Sequence, residues 1–301
     1  MTRNDDRWSR WLSRRRDGDD ERQRAAILEH LGPVRDRVLA QAEPLAGATL
    51  VDVGSGDGLI GLAALERVGA EGMVIFSDIS EALLEHTSQE VQARGLLEQA
   101  RFVHAGAEDL VGIPDGSVDV VTTRSVLIYV ADKAAAFAAM YRVLRPGGTI
   151  SLFEPINRLM FPEPRERFWG YDVEAVVELA DKVKASYRRL EDPASASMMD
   201  FDDRDLVRLA EAAGFDRIHL ECHIDVEPSS LMRATSIGAL LAMAPNPHAP
   251  TAGESIAAAL SAAEQETFVA HLALAVEEGE PLRRSAAAYM TASKPGSPRL
   301  R

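Results

Sequence analysis

Cysteine is almost absent from this chain of 301 residues, in which Cys222 is the only one. A single thiol can form neither an internal disulfide nor a zinc or iron–sulfur site that needs several cysteines. This usage is typical of a reducing compartment, so we expect a cytoplasmic protein. The chain also lacks a long apolar run, and none follows its arginine-rich start. We therefore expect neither a secretion signal nor stable membrane insertion.

Basic residues are fewer than acidic ones. The chain has 33 lysines and arginines and 47 acidic residues, which gives a formal net charge of -14. This negative charge opposes attraction to nucleic acid and to anionic membranes. Aromatic residues make up only 6% of the chain, but the apolar fraction of 46% is enough for a sizeable core. The composition therefore favours a globular protein with a small-molecule partner and no nucleic acid.

Short β-branched runs alternate with helical stretches, and this alternation predicts a parallel sheet wrapped by helices. Strands are predicted at 49–53, 74–77, 101–104, 118–122, 149–153, 217–226 and 286–292. Helical regions are predicted between most of the strands, including one from Asp172 to about Leu190.

The pattern divides the chain into four parts. They are a helical arm over 1–45, an α/β core over 46–228, a largely helical insertion over 229–280, and the last strand with a tail over 281–301. Trp8 and Trp11 lie on one face of the arm, with arginines around them. Three roles are open for this pair: closure over a bound ligand, contact with a second copy of the chain in a homodimer, or attachment to a membrane surface. The acidic composition favours the first two.

A glycine-rich segment lies where the first strand turns into a helix. It reads Asp52-Val53-Gly54-Ser55-Gly56-Asp57-Gly58, and glycines at such a turn let backbone N–H groups approach a ligand closely. The segment therefore predicts a nucleotide-like cofactor.

Two cofactor classes compete for this loop. Gly56, Gly58 and Gly61 fit the G-x-G-x-x-G pattern of NAD(P)-dependent oxidoreductases, with Asp78 at a ribose-binding distance in sequence. In that pattern, however, the first glycine ends the strand, and here that residue is Gly54. If the pattern starts at Gly54, its third glycine position falls on Leu59. The dinucleotide pattern is therefore displaced by two residues from the end of the strand.

The acidic residue and three alternating glycines, Asp52, Gly54, Gly56 and Gly58, resemble the motif of class I S-adenosylmethionine-dependent methyltransferases. The resemblance implies that the loop, with Ser55, contacts the amino acid part of the cofactor. It also implies that Asp52 acts on the ammonium group, directly or through water.

The resemblance further assigns residues after the second and third strands. Asp78 matches the acidic residue that accepts both ribose hydroxyls, for which two carboxylate oxygens are well suited, and Ile79 belongs to the same cofactor site. Residues 105–110 lie where quinone-type C-methyltransferases carry a Gly-Asp-Ala-Glu run that touches adenine. Because Gly106 replaces the aspartate of that run, we expect the Ala107 N–H to contact the adenine ring and Glu108 or Asp109 to accept from its amine.

Two later segments extend the resemblance. Residues 142–148 resemble the family's connection into its fifth strand. Residues 209–215 resemble the end of the helix that precedes the family's sixth strand. The family fold is a doubly wound, seven-stranded, mostly parallel α/β sheet whose last strand inserts antiparallel beside the sixth. The insertion 229–280 would then overhang the cofactor end of the sheet, and we expect a lid or substrate pocket there.

Methyl transfer from a sulfonium is an in-line displacement, so alignment and exclusion of water supply much of the rate and a base is optional. Glu154, at the end of the fifth strand, is the first candidate base. Its structural alternative is to pair with Arg124 or Arg158, or to cap the following loop. Arg124 and Tyr129 follow the fourth strand, where the family places cofactor and substrate contacts.

A strand face with His219, Glu221 and His223 has the residue types of a metal site. The whole face is polar, as a half-solvated edge strand would be, so we expect no metal. His223 remains a weaker base candidate than Glu154.

The sequence therefore predicts a methyltransferase that uses S-adenosylmethionine on a small, hydrophobic or aromatic metabolite. The alternatives are an NAD(P)-dependent oxidoreductase and a noncatalytic module that binds S-adenosylmethionine. Aromatic and methionine side chains flank the expected cavity, and about a third of them should reach the ligand. They are Phe161, Phe168, Trp169, Tyr171, Met198, Met199, Met232 and Met243.

Overall fold

A computed structural model describes residues 6–190, 193–229 and 233–296 of the protein. The strands of its central sheet, numbered in chain order, are β1 (Thr49–Val53), β2 (Met73–Asp78), β3 (Ala100–His104), β4 (Val118–Arg124), β5 (Leu144–Pro155), β8 (Asp216–Pro228) and β9 (Leu282–Ser293). They lie in the order β3-β2-β1-β4-β5-β9-β8. β1 to β5 pair in parallel, whereas β9 is antiparallel to both β5 and β8. The predicted fold class is confirmed, including the antiparallel last strand.

Helices lie against both faces of the sheet and above one end of it. The α-helices are α1 (Arg7–Arg10), α2 (Glu21–Gln41), α3 (Leu59–Val68), α4 (Glu81–Ala93), α5 (Lys133–Val143), α6 (Val177–Leu190), α7 (Asp203–Ala213), α8 (Ile237–Ala242), α9 (Ala252–Ala259) and α10 (Ala262–Glu278). A π-helical turn, Trp11–Arg15, continues α1.

Side-chain caps fix where the helices of the core begin. The Ser80 hydroxyl accepts the Leu83 N–H at 3.1 Å at the start of α4. Asp202 and Asp205 form a capping box at the start of α7, which ends at Gly214 with a φ of 99°. Such caps satisfy N–H groups that have no partner within the helix, and they set the direction in which each helix leaves its strand.

The sheet has a separate apolar core on each face. On one face, α5 and α7 bury Phe137 and Leu206 against β4, β5 and β9. On the other face, α2 and α3 bury Val38 and Leu65 against β1 and β2. Because both faces are covered, the parallel strands β1, β2 and β4 are almost wholly buried, and the open space lies at the carboxyl ends of the strands.

The helix predicted from Asp172 begins later than expected. A hairpin occupies the intervening residues, with strands β6 (Arg167–Phe168) and β7 (Tyr171–Asp172). Trp169 and Gly170 at its turn have φ values of 53° and 81°, the left-handed geometry of a tight hairpin turn. The helix α6 therefore starts at Val177, and the predicted start at Asp172 is wrong.

A third apolar cluster lies above the sheet and holds the cap together. We use the word cap for the hairpin β6–β7 with helices α6 and α8 to α10. Phe168, Val183, Leu240 and Phe268 are buried in this cluster. In the residues that the structure describes, no helix is long and apolar enough to cross a membrane.

Candidate active site

The glycine loop after β1 has the conformation that its sequence predicts. Gly54, Gly56 and Gly58 have φ values of 62°, 55° and 83°, a region that side chains disfavour. At Gly54 a Cβ atom would also lie 2.4 Å from Val126 Cγ2. The hydroxyl of Ser55 is buried in this loop without a hydrogen-bond partner, so the loop presents a polar group that a ligand can satisfy.

The carboxyl group of Asp52 ties the loop to its neighbours. Its Oδ2 accepts the Gly61 N–H at 2.9 Å, and its Oδ1 accepts the Thr122 hydroxyl at 3.0 Å. Burial raises the pKa of Asp52 to about 7, although both hydrogen bonds oppose the rise. Asp52 thus fixes the start of α3 against β4 while it also lines the cavity described below.

Asp78, at the end of β2, organises the other side of the loop. Its Oδ2 accepts the Gly56 N–H at 2.8 Å, and its Oδ1 accepts the Ser80 N–H at 2.8 Å. Burial raises the pKa of this carboxyl group. Each oxygen still has a further lone pair, so a diol can be accepted without breaking these contacts.

A cavity of about 1090 Å³ opens at the carboxyl ends of the strands, between the sheet and the cap. Most of the site residues predicted from the sequence line it. They are Asp52, Gly54, Ser55, Gly56, Asp78, Ile79, Ala107, Glu108, Arg124 and Tyr129. Gly58, Glu154 and His223 do not line it. Gly58 instead serves as the left-handed N-cap of α3.

Two arginines face the glycine loop inside the cavity. Arg124 ends β4 and forms no ion pair with any described residue, and burial lowers its pKa. Arg16, from the N-terminal arm, lies 3.6 Å from a carboxylate oxygen of Asp57 and has a buried Nε without a hydrogen-bond partner. Sequence reasoning missed Arg16, and the only signal was the run Arg14 to Arg16 in the arm.

The arm itself covers the loop. Trp8 packs edge-on against Tyr129, with the ring centroids 4.9 Å apart. The Trp11 indole N–H donates to the Ala244 carbonyl at 3.0 Å, and both tryptophans line the cavity. Leu12 lies over Gly56, where a Cβ atom would be 3.4 Å from Leu12 Cδ1. This placement favours closure over a ligand among the three roles considered for the tryptophans.

Glu154 is fully buried below the cavity floor. Its Oε1 accepts the N–H groups of Val126 and Leu127 at 2.9 and 3.0 Å, and its Oε2 accepts the Ile128 N–H at 3.3 Å. Burial raises the pKa of Glu154 to about 7. The carboxylate caps the turn after β4 and not the loop that follows its own strand, and the structure does not bring it to the cavity.

Tyr129 and His223, the other two candidate catalytic residues, lie in different places. Tyr129 is on the cavity wall, and burial raises the pKa of its hydroxyl, so it is a hydrogen-bond donor at neutral pH. His223 is on β8 at the edge of the sheet, where its Nε2 lies 3.1 Å from an Arg37 nitrogen. Arg37 also pairs with Glu221 at 2.7 Å, so this polar face forms surface ion pairs away from the cavity.

The far part of the cavity, under the cap, is apolar and aromatic. Of the side chains expected to flank it, five line it: Phe161, Phe168, Trp169, Met198 and Met199. Tyr171 and Met243 are buried in the cap cluster instead. Met232 lies outside the described residues. The cap also contributes Tyr187, Pro245 and Ala249 to the lining.

The chemistry of the loop end fits S-adenosylmethionine. The unsatisfied Ser55 hydroxyl and Arg16 Nε are buried where the amino acid part would lie, and Asp78 has free lone pairs for a diol. Together with the strand order of the sheet, these residues define a class I methyltransferase. Residues 31–225 match the ubiE/COQ5 methyltransferase family. The chain belongs to this family and is an S-adenosylmethionine-dependent methyltransferase.

Individual relatives agree with this assignment. The nocamycin O-methyltransferase of Saccharothrix syringae is 33% identical over 72% of this chain and 75% of its own length. The ubiquinone/menaquinone biosynthesis C-methyltransferase UbiE of Serratia proteamaculans is 30% identical over 57% of this chain and 68% of its own. A geranyl diphosphate methyltransferase solved in complex with its cofactor shares the fold, with a TM-score of 0.51, 17% identity and 94% of each chain covered. These relatives fit the methyltransferase prediction and not the oxidoreductase alternative.

Proposed function

We propose that this protein transfers a methyl group from S-adenosylmethionine to a small, apolar or aromatic metabolite bound under the cap. The observation that carries the proposal is the two-part cavity, which has the glycine loop and Asp78 at one end and aromatic and methionine side chains at the other. When bound, the cofactor supplies an electrophilic methyl group on sulfur. We expect this group to lie at the junction of the two parts of the cavity.

The proposed contacts at the loop end follow from the charges there. Arg124 and Arg16 bind the cofactor carboxylate, since both are partly buried cations that line the cavity, and the Arg16 Nε has no partner. Asp78 accepts the ribose hydroxyls, while Ala107 and Glu108 contact adenine from the segment after β3. Asp52 contacts the ammonium group of the cofactor, directly or through water, and its own hydrogen bonds stabilise the conformation of the loop.

Positioning and dehydration are the proposed sources of catalysis. Trp8 and Tyr129 close the loop end of the cavity against solvent, and the insertion 229–280 forms a lid that contributes Pro245 and Ala249 to the wall. A dry site strengthens the electrostatic interactions inside it and favours the in-line geometry. Glu154 acts as a positioning residue for the turn that carries Tyr129.

Location and partners complete the proposal. We place the protein in the cytoplasm and assign it no nucleic acid partner, because its net charge of -14 opposes both nucleic acid and anionic membranes. Trp8 and Trp11 are engaged within the chain, so a homodimer would need another surface.

Turnover tests the proposal directly. The full chain is incubated with S-adenosylmethionine carrying a labelled methyl group and a panel of apolar and aromatic acids, phenols and amines. We expect label to appear in one chemical class, together with S-adenosylhomocysteine. Binding of S-adenosylhomocysteine without label transfer to any acceptor would support the noncatalytic alternative.

A further inference from the structure

Building on the proposed function, we propose that the methyl acceptor is an apolar organic acid whose ionised oxygen is bound by Arg284. This names a substrate class and a specificity-determining residue. Arg284 lies on β9, opposite Val226 of β8, and it lines the cavity.

Backbone contacts fix Arg284 at the substrate end. Two residues before it, the Leu282 N–H donates to the Gly170 carbonyl at the hairpin turn of the cap, at 2.9 Å. Two residues after it, the Ala286 carbonyl accepts the Ile156 N–H just beyond β5, at 2.8 Å. Arg284 therefore lies between the cap and the end of β5, beyond the last paired residue of that strand.

The Arg284 side chain is half-buried, and one of its donors lacks a partner. Its Nε is buried without a hydrogen-bond partner, and it forms no ion pair within the part of the chain that the structure describes. The neighbouring Arg283 differs, because its guanidinium lies 2.6 Å from Glu227 and 3.7 Å from Asp225. A buried cationic donor without a partner is costly, and a bound anion removes that cost.

Glu163 and Lys184, which also line the cavity, have partners within the protein. The Glu163 carboxylate accepts the N–H groups of Trp169 and Gly170 at 3.1 and 2.6 Å. The ammonium of Lys184 donates to the carbonyls of Pro164 and Arg165 at 2.8 and 2.9 Å. Arg188 also lines the cavity but is exposed, whereas Arg284 has a buried donor without a partner, beside side chains that suit an apolar substrate body.

The apolar end of the cavity holds Glu163, whose carboxylate accepts two backbone N–H groups. No histidine lines the cavity among the described residues, and the Glu154 oxygens are occupied by three N–H groups. A nucleophile that must lose a proton in the reaction would need a base. An acid that arrives ionised needs no such proton transfer, so it is the acceptor that demands least of the carboxylates in the cavity.

The proposed step is balanced without a further reactant. One oxygen of a delocalised anion, such as a carboxylate or an acidic enolate, stays with Arg284. A lone pair of the second oxygen forms the new O–C bond as the C–S bond breaks, and the electron pair of that bond goes to sulfur. The anion and the sulfonium become a neutral methyl ester or enol ether and a neutral thioether.

Equilibrium binding tests the inference without turnover. Isothermal titration of the full chain, saturated with S-adenosylhomocysteine, compares 2-naphthoate and dodecanoate with their neutral amides. We expect the acids to bind about tenfold more tightly than the amides. Arg284→Gln should abolish this difference and Arg284→Lys should keep part of it, because a charge without the bidentate fork remains.

The control is Arg283→Gln, which removes the same charge from the next residue of the strand and should keep the acid preference. Equal binding of acids and amides by the unmodified protein, no binding of either acid, or an acid preference that survives in Arg284→Gln would each overturn the inference. Weak binding of S-adenosylhomocysteine by the unmodified protein would instead count against the proposed function. Loss of that binding only in Arg284→Gln would overturn the substrate role, because it would show a structural one.

Discussion

Three carboxylates at strand ends differ in what their oxygens contact. Asp52 and Asp78 reach the cavity while each accepts two hydrogen bonds from the protein. Glu154 accepts three backbone N–H groups and is fully buried. All three sit where ligand-binding residues are expected in open α/β sheets, but only two of them face the ligand space.

Replacing Asp78 should weaken cofactor binding. Asp78→Ala removes the acceptor of the ribose hydroxyls and the contact with the Gly56 N–H. We expect the dissociation constant of S-adenosylhomocysteine to rise about tenfold or more, which is about 1.4 kcal/mol. Titration calorimetry measures it, with the exposed Glu90→Gln on α4 as the control. An unchanged affinity would refute the ribose assignment.

Glu154 should make stability depend on pH. Its pKa rises from 4.5 to about 7 on folding, so between these values the folded state holds a proton that the unfolded chain releases. Folding stability therefore falls as pH rises through this window, by up to about 1.4 kcal/mol per pH unit. Asp52, raised from 3.8 to about 7, acts in the same direction.

Removing the ionisable group isolates this contribution. For Glu154→Gln we expect the free energy of unfolding, measured with denaturant between about pH 5 and about pH 7, to fall less steeply than for the unmodified protein. The exposed Glu98→Gln serves as the control. Parallel pH profiles for Glu154→Gln and the unmodified protein would show that Glu154 titrates as in the unfolded chain.

At the scale of elements, the N-terminal arm connects the glycine loop to the cap. Arg16 reaches Asp57 in the loop. Arg15 pairs with Glu254 of α9 at 2.6 Å, and its carbonyl accepts the Ala244 N–H at 2.8 Å. The arm is therefore in contact with both ends of the ligand space.

The arm prediction concerns the amino acid part of the cofactor. Arg16→Gln should raise the dissociation constant of S-adenosylhomocysteine about fivefold to tenfold, because its carboxylate loses a buried cation. Binding of 5′-methylthioadenosine, which has no carboxylate, should not change. Arg14→Gln, an exposed arginine two residues earlier, should behave like the unmodified protein. Equal weakening of both ligands would assign Arg16 to the shape of the arm instead.

Strand positions were predictable because buried parallel strands are continuous apolar runs bounded by turn residues. β1 lies at its predicted bounds, and β2 is longer by one residue at each end. The hairpin before α6 was missed because its strands are too short for a period to show. The left-handed turn at Trp169 also has an aromatic residue where glycine or asparagine is usual.

At the scale of the whole molecule, local sequence identified the cofactor end better than the substrate end. The positions of the glycine loop and Asp78 depend on residues that are close together in the sequence, so a short motif is enough to predict them. Arg16 and Arg284 reach the same cavity from opposite ends of the chain, and their placement depends on how the arm and β9 pack. The role of Glu154 depends on the pairing of β4 with β5, which fixes the turn that it caps.

Ligand binding should stabilise the whole fold. A ligand that binds only the folded state adds about 2.7 kcal/mol to the free energy of unfolding at a concentration 100 times its dissociation constant. We expect S-adenosylhomocysteine to give this gain in denaturant unfolding and a higher Tm in calorimetry, whereas NAD at the same concentration gives neither. Stabilisation by NAD and not by S-adenosylhomocysteine would instead support binding of a dinucleotide by the glycine loop.

The arm has a practical consequence for handling the protein. Asp6, where its described part begins, is close enough to Asp78 to raise the pKa of that carboxyl group. A group attached close to Asp6 would therefore lie near the loop end of the cavity. The last strand runs the other way, with Ser293 paired to Thr149 at the opposite edge of the sheet, so affinity handles and surface immobilisation belong at the carboxyl terminus.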